Sequence, residues 1–141
     1  MNTYYIVDAN YGLGIVAGDK YDGKLYRQTP ADRGNAQWEL VPTSTDNFYL
    51  IRDIKHRKCI VAGDLEDGKL YHQDAGGRLN AEWQLIGFKN DENKDSKTFN
   101  LQDRKHGKII AAGVQEDGNL YHQSPSNLPN ARWVLIPNEL D

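Results

Sequence analysis

Short segments in which apolar and polar positions alternate recur along the chain, separated by runs of turn-forming residues, and this period of two predicts β-strands. In the first segment Tyr4 and Ile6 correspond to Tyr49 and Ile51, then to Phe99 and Leu101, while the positions between them vary from Val7 to Arg52 to Gln102. One face is thus expected in the core and the other in solvent. Asp8, Asp53 and Asp103 close this strand as turn-formers, because a short carboxylate accepts hydrogen bonds from the turn backbone. A second strand is predicted at Gly14 to Ala17 and a third at Lys24 to Gln28, each with its counterparts. Between them lie Asp22-Gly23, Asp67-Gly68 and Asp117-Gly118, pairs that favour tight hairpins. A fourth strand carries Trp38 and Leu40 inward, with Gln37 and Glu39 outward. Helical periodicity is absent.

The pattern is written three times: GIVAGDKYDGKLYRQ…NAQWEL, CIVAGDLEDGKLYHQ…NAEWQL and IIAAGVQEDGNLYHQ…NARWVL. Trp38, Trp83 and Trp133 keep a constant offset from Leu25, Leu70 and Leu120 and from Gly23, Gly68 and Gly118, so the register is unbroken. The extra residues before the third copy fall in the polar run from Lys89 to Lys97, read as a longer surface loop. Three units of four strands in 141 residues are too small for three separate cores, so residues 1–141 are expected to be one domain, with repeats at about 1–45, 46–92 and 93–141. The predicted inward set is Tyr4, Ile6, Ile15, Leu25, Trp38, Leu40 and their equivalents.

Hydrophobic residues make up 38% of the chain, and no apolar run approaches the ~18 residues of a membrane span. A strand starting near Thr3 leaves no space for a secretory leader, which points to a cytoplasmic protein or one released without a classical signal peptide. The net charge of −3 argues against nucleic acid, whose backbone demands clustered cations. Cys59 is the only cysteine; its counterparts Gly14 and Ile109 mark it as a packed residue rather than a reactive thiol. His56 and Cys59 are closely spaced, but their counterparts are Tyr11 and Gly14 in one repeat and His106 and Ile109 in another, so no metal or other cofactor is expected. Paired carboxylates, a nucleophile elbow and a phosphate-cradling glycine loop are all missing, which disfavours an enzyme.

Asparagine three residues before the tryptophan, an aromatic twelve before it and a hairpin upstream resemble the ricin-type lectin repeat. The resemblance covers the whole chain and implies an all-β fold, the β-trefoil: three four-stranded repeats with pseudo-threefold symmetry, a six-stranded barrel closed by three hairpins. The family's Gln-x-Trp is replaced here by Asn-Ala-x-Trp, with Ala36, Ala81 and Ala131 at the glutamine position, so a turn-bracing hydrogen bond must come from another group. The family's disulfide is also missing, since Cys59 would face Gln73.

By resemblance, each repeat holds a sugar against an aromatic face, with polar groups on its hydroxyls. The stacking aromatic falls on Tyr26, Tyr71 and Tyr121, and the hydroxyl-binding amide on Asn35, Asn80 and Asn130; alternatively these residues merely cover the hairpin and cap the turn. The family's acidic ligand is lost to Val16, Val61 and Ala111. Asp19 and Asp64 lie three residues onward, but Val114 takes that place in repeat three. Secondary candidates are Gln28, Gln73 and Gln123, with Lys24, Lys69 and Asn119 of the same strand parity. His72 and His122 are further candidates, although alternation sets them on the opposite face. The implied function is a non-catalytic, multivalent lectin with up to three weak, unequal glycan sites, leading to agglutination or surface targeting. The alternative is a protein-binding trefoil acting through the loop Lys89 to Lys97. The partners expected are glycans rather than nucleic acid or membrane, with a homo-oligomer left open.

Overall fold

The computed structural model describes residues 3–18, 25–29, 33–63, 69–89, 92–113, 120–125 and 128–138. The Asp-Gly turns and the candidates Asp19, Lys24, Asp64 and Asn119 lie outside these residues, as does Val114. Among the described residues there are twelve strands. Repeat one contributes β1 (Thr3–Asp8), β2 (Gly14–Ala17), β3 (Leu25–Gln28) and β4 (Trp38–Pro42). Repeat two contributes β5 (Tyr49–Asp53), β6 (Cys59–Ala62), β7 (Leu70–Gln73) and β8 (Trp83–Lys89). Repeat three contributes β9 (Asp95–Asp103), β10 (Ile109–Ala112), β11 (Leu120–Gln123) and β12 (Trp133–Asn138). A single 3-10 turn precedes each fourth strand, at Gly34–Ala36, Leu79–Ala81 and Pro129–Ala131.

Six of these strands close a ring. β1 pairs with β12, β4 with β5 and β8 with β9, all antiparallel, while shorter contacts link β1 to β4, β5 to β8 and β9 to β12. The hairpins β2–β3, β6–β7 and β10–β11 hang from β1, β5 and β9, and their outer strands β3, β7 and β11 touch one another across the end of the barrel. Closure pairs the barrel strands on both sides and so removes the exposed edges that invite aggregation. This is the β-trefoil.

The core gathers Ile6, Ile15, Ala17 and Trp38 with their equivalents Ile51, Ile60, Ala62, Trp83, Leu101, Ile110, Ala112 and Trp133. Leu25, Leu40, Leu70, Leu85, Leu120 and Leu135 pack against it half-buried. Tyr4, Tyr49 and Phe99, predicted inward, are instead only half-buried and outside this cluster. Their places are taken by the small alanines that end β2, β6 and β10, because those strands are buried along their whole length. On the other face of β6, Cys59 and Val61 pack against Ala81; Ile109 and Ala111 of β10 meet Ala131 in the same way. Cys59 is therefore a packing residue, and burial pushes its thiol up to about 11. Ala36, Ala81 and Ala131 of Asn-Ala-x-Trp are all fully buried.

The polar insertion also differs from the expected loop. β8 and β9 extend into it as far as the pair Lys89 and Asp95, with a register irregularity between Gly87 and Lys89. Part of the run is strand rather than loop.

Candidate functional site

Strand alternation sorts the candidate residues onto two faces of each outer hairpin. In β7, Tyr71 and Gln73 are half-buried and face outward, while His72 between them is buried. The same order recurs as Tyr26, Arg27, Gln28 in β3 and Tyr121, His122, Gln123 in β11, where Gln28, Tyr121 and Gln123 are exposed. Tyr71 stands directly across from Val61, Tyr26 from Val16 and Tyr121 from Ala111. The residue paired with each tyrosine is thus a buried apolar one, whose side chain offers no hydrogen bond.

In repeat two these side chains surround an open cleft of about 130 Å3, lined by Val61, Ala62, Gly63, Tyr71, Gln73, Arg78 and Asn80. Lys69 is exposed one residue ahead of β7 and is not among the cleft's walls. Asn80 sits at its buried side, and its amide nitrogen donates to the Ala62 carbonyl at 2.7 Å. Asn35 and Asn130 make the equivalent bonds to Ala17 and Ala112 at 2.8 and 2.9 Å. These bonds tie each 3-10 turn to its hairpin. Each asparagine thereby commits one N–H of its amide to the hairpin, leaving the second N–H and the amide oxygen for a ligand. In repeat one that oxygen, Oδ1 of Asn35, is buried without a hydrogen-bond partner.

Arg33 and Arg78 were not singled out from sequence. Each lies two residues before the asparagine, and the signal was there in the matching Arg-x-Asn of two repeats. Arg78 donates through Nη2 to the side-chain oxygen of Gln73 at 3.1 Å and to the Asp74 carbonyl at 2.6 Å; Arg33 reaches Gln28 at 3.3 Å. The arginine turns the glutamine oxygen toward itself, so the glutamine presents its NH2 outward. Repeat three has exposed Leu128 at this position.

His72 and His122, entertained as sugar contacts, are corrected by the geometry: they point to the opposite face and are committed elsewhere. His72 Nε2 lies 2.7 Å from Asp53 Oδ1, and His56 Nδ1 lies 2.9 Å from Asp53 Oδ2. His122, His106 and Asp103 repeat this at 2.7 and 2.9 Å. The carboxylate also accepts the backbone N–H of His56 and Lys58, or of His106 and Lys108, as a turn-forming aspartate should. Burial raises the carboxyl pKa of Asp53, but the hydrogen bonds from His72 and from those backbone N–H groups outweigh it and hold the group below its ordinary value; Asp103 behaves alike. Repeat one replaces both imidazoles: Arg27 Nε is 3.9 Å from Asp8 Oδ2, and its guanidinium lies over Tyr11, 4.9 Å from the ring centroid. The pair His56 and Cys59 noted in the sequence is not the one the fold assembles, since the third member of the cluster is His72.

No protein-family model matches the chain, and no curated protein matches it in sequence. Solved structures do. The chain is similar to the designed threefold-symmetric protein ThreeFoil at 21% identity and a TM-score of 0.82, over 95% of this chain and 97% of that one. It is similar to SeviL, solved bound to asialo-GM1 saccharide, at 15% identity and a TM-score of 0.75, over 96% and 97%. A Polyporus squamosus lectin, solved bound to a human-type influenza-binding epitope, matches at 14% identity and a TM-score of 0.78; the chain covers 48% of it with 94% of its own length. At these identities the likeness establishes the β-trefoil fold alone.

Proposed function

We propose that this chain is a non-catalytic carbohydrate-binding protein with up to three shallow, unequal sites, one on each outer hairpin. The observation that carries the reading is the convergence of Tyr71, Gln73, Arg78 and Asn80 on one open cleft. An aromatic face accepts the weakly positive C–H groups of a pyranose, and amide and guanidinium groups orient its hydroxyls. Repeat one carries the same set as Tyr26, Gln28, Arg33 and Asn35; repeat three has Tyr121, Gln123 and Asn130 but Leu128 in place of arginine. Proteins of the same fold solved bound to saccharides add support. A single shallow site of millimolar affinity supplies about 4 kcal/mol. Three sites on one rigid frame add roughly 10² to 10⁴ in avidity when ligand spacing permits, and agglutination follows.

The test is a glycan array read with the untagged protein against multivalently displayed sugars, followed by titration of the best ligand. Tyr26→Ala, Tyr71→Ala and Tyr121→Ala are each expected to reduce the stoichiometry by one site. Absence of binding to every multivalent glycan overturns the reading. One observation favours a second reading as a protein-binding module: Phe88, Phe99, Val134 and Leu135, with Gly87, Thr98 and the charged Lys97, line a mostly apolar cavity of about 540 Å3 beside the extended β8–β9 hairpin.

A further inference from the structure

All four histidines of the chain lie in two identical clusters, Asp53 with His56 and His72, and Asp103 with His106 and His122. We propose that these two clusters are binding sites for a divalent transition-metal ion of the zinc type. Each joins two imidazole nitrogens to one carboxylate, the donor set that such ions prefer when a fourth position is left to water. Within each cluster the ligand atoms lie within 4.8 Å of one another, and the imidazole-to-carboxylate separations are 2.7 and 2.9 Å. Bonds of ~2.0 to 2.2 Å place neighbouring ligand atoms roughly 3 to 3.5 Å apart, so shifts on the order of 1 Å admit the ion.

The ion replaces the hydrogen-bond protons between the imidazoles and the carboxylate. A neutral ring moves its proton to the other ring nitrogen, and an imidazolium releases one proton to solvent. The carboxylate is already oriented by backbone N–H groups of His56 and Lys58, or of His106 and Lys108, which is the outer support a metal ligand needs. The His106 side chain is 22% exposed and opens repeat three to solvent. Cys59 packs with Val61 and Ala81 and belongs to neither cluster.

Repeat one supplies an internal contrast. There the same carboxylate, Asp8, faces the guanidinium of Arg27, which itself lies over the ring of Tyr11. The position beside the aspartate holds a cation tethered to the chain in one repeat, and is left to an exchangeable one in the other two. A bound ion clips the turn after β5 to β7, on whose outer face Tyr71 stands, and does the same for β9, β11 and Tyr121.

The experiment uses the untagged full chain, stripped with a chelator, and zinc alone as probe. Titration against a chromophoric chelator is expected to show two ions per chain. His56→Gln and His106→Gln each retain a side-chain donor to the aspartate but remove a metal ligand. Each is expected to bind one ion, and the double variant none, with thermal midpoints in chelator close to that of the native chain. Cobalt on the native chain gives a second readout: visible d–d bands of tetrahedral intensity, with quenching of Trp38 and Trp83, whose rings lie 6.0 and 6.2 Å from His72 and His122. No uptake at about 100 μM zinc, or uptake that survives in the double variant, overturns the proposal.

Discussion

The indole N–H of Trp38 donates to the backbone carbonyl of Ile15 at 2.8 Å, and Trp83 with Ile60 and Trp133 with Ile110 repeat the bond at the same length. The tryptophan is thus both the largest core residue and the bolt between the barrel and the hairpin. Trp38→Phe keeps an aromatic in the core but leaves the Ile15 carbonyl buried and unpaired. It is expected to cost about 1–3 kcal/mol beyond the lost volume. Chemical denaturation checks this, and the corresponding changes at Trp83 and Trp133 are expected to cost similar amounts.

The asparagines of the 3-10 turns have a double duty. Asn80→Ala removes the bond to the Ala62 carbonyl and is expected to destabilise the protein by about 1–2 kcal/mol. Asn80→Asp is expected to cost more, because a carboxylate oxygen then opposes the buried carbonyl oxygen. Urea unfolding ranks the two variants; equal stability of Asn80→Asp and the native chain contradicts the assigned bond.

Acid stability follows from Asp53 and Asp103. Their carboxyl pKa values are lowered in the fold from an ordinary value of 3.8, so the folded state favours the ionised form. This contribution is fully present above 3.8 and is lost as the pH falls through the lowered folded values. Asp53→Asn and Asp103→Asn are each expected to lower stability at neutral pH and to flatten its fall on acidification. Unfolding free energy measured from neutral to strongly acidic pH gives the slope directly.

The inequality of the repeats is also open to test. Leu128 is 57% exposed where the other repeats have Arg33 and Arg78. In a Tyr26→Ala, Tyr71→Ala background only repeat three reports, and Leu128→Arg is expected to raise its glycan affinity several-fold. Arg78→Ala in the native chain is expected to weaken binding at repeat two. Such surface changes are expected to shift stability by less than about 0.5 kcal/mol, which a thermal melt verifies.

Much of the scaffold was legible because β-structure is written with a period of two and was written three times. Ile6, Ile15 and Trp38 could be placed inward from alternation alone, and Asp8, Asp53 and Asp103 were identified as turn-formers from their place at the strand end. Tyr4, Tyr49 and Phe99 were misplaced because aromatic side chains at a barrel strand satisfy alternation whether they end in the core or at its rim. The function of Ala36, Ala81 and Ala131 was hidden for another reason: a contact between a 3-10 turn and the outer face of a hairpin has no sequence period.

The sequence by itself determined the number of repeats, the strand content, the core tryptophans and the outward parity of Tyr26, Tyr71 and Tyr121, because each of these depends on local spacing. Only the tertiary structure decided that Asn80 spends its amide on Ala62, that Arg78 sets the orientation of Gln73, and that His56 and His72 meet on Asp53. Those relationships join segments 16 or more residues apart or side chains on adjoining loops, and they exist only once the barrel has closed and brought hairpin, turn and strand end together.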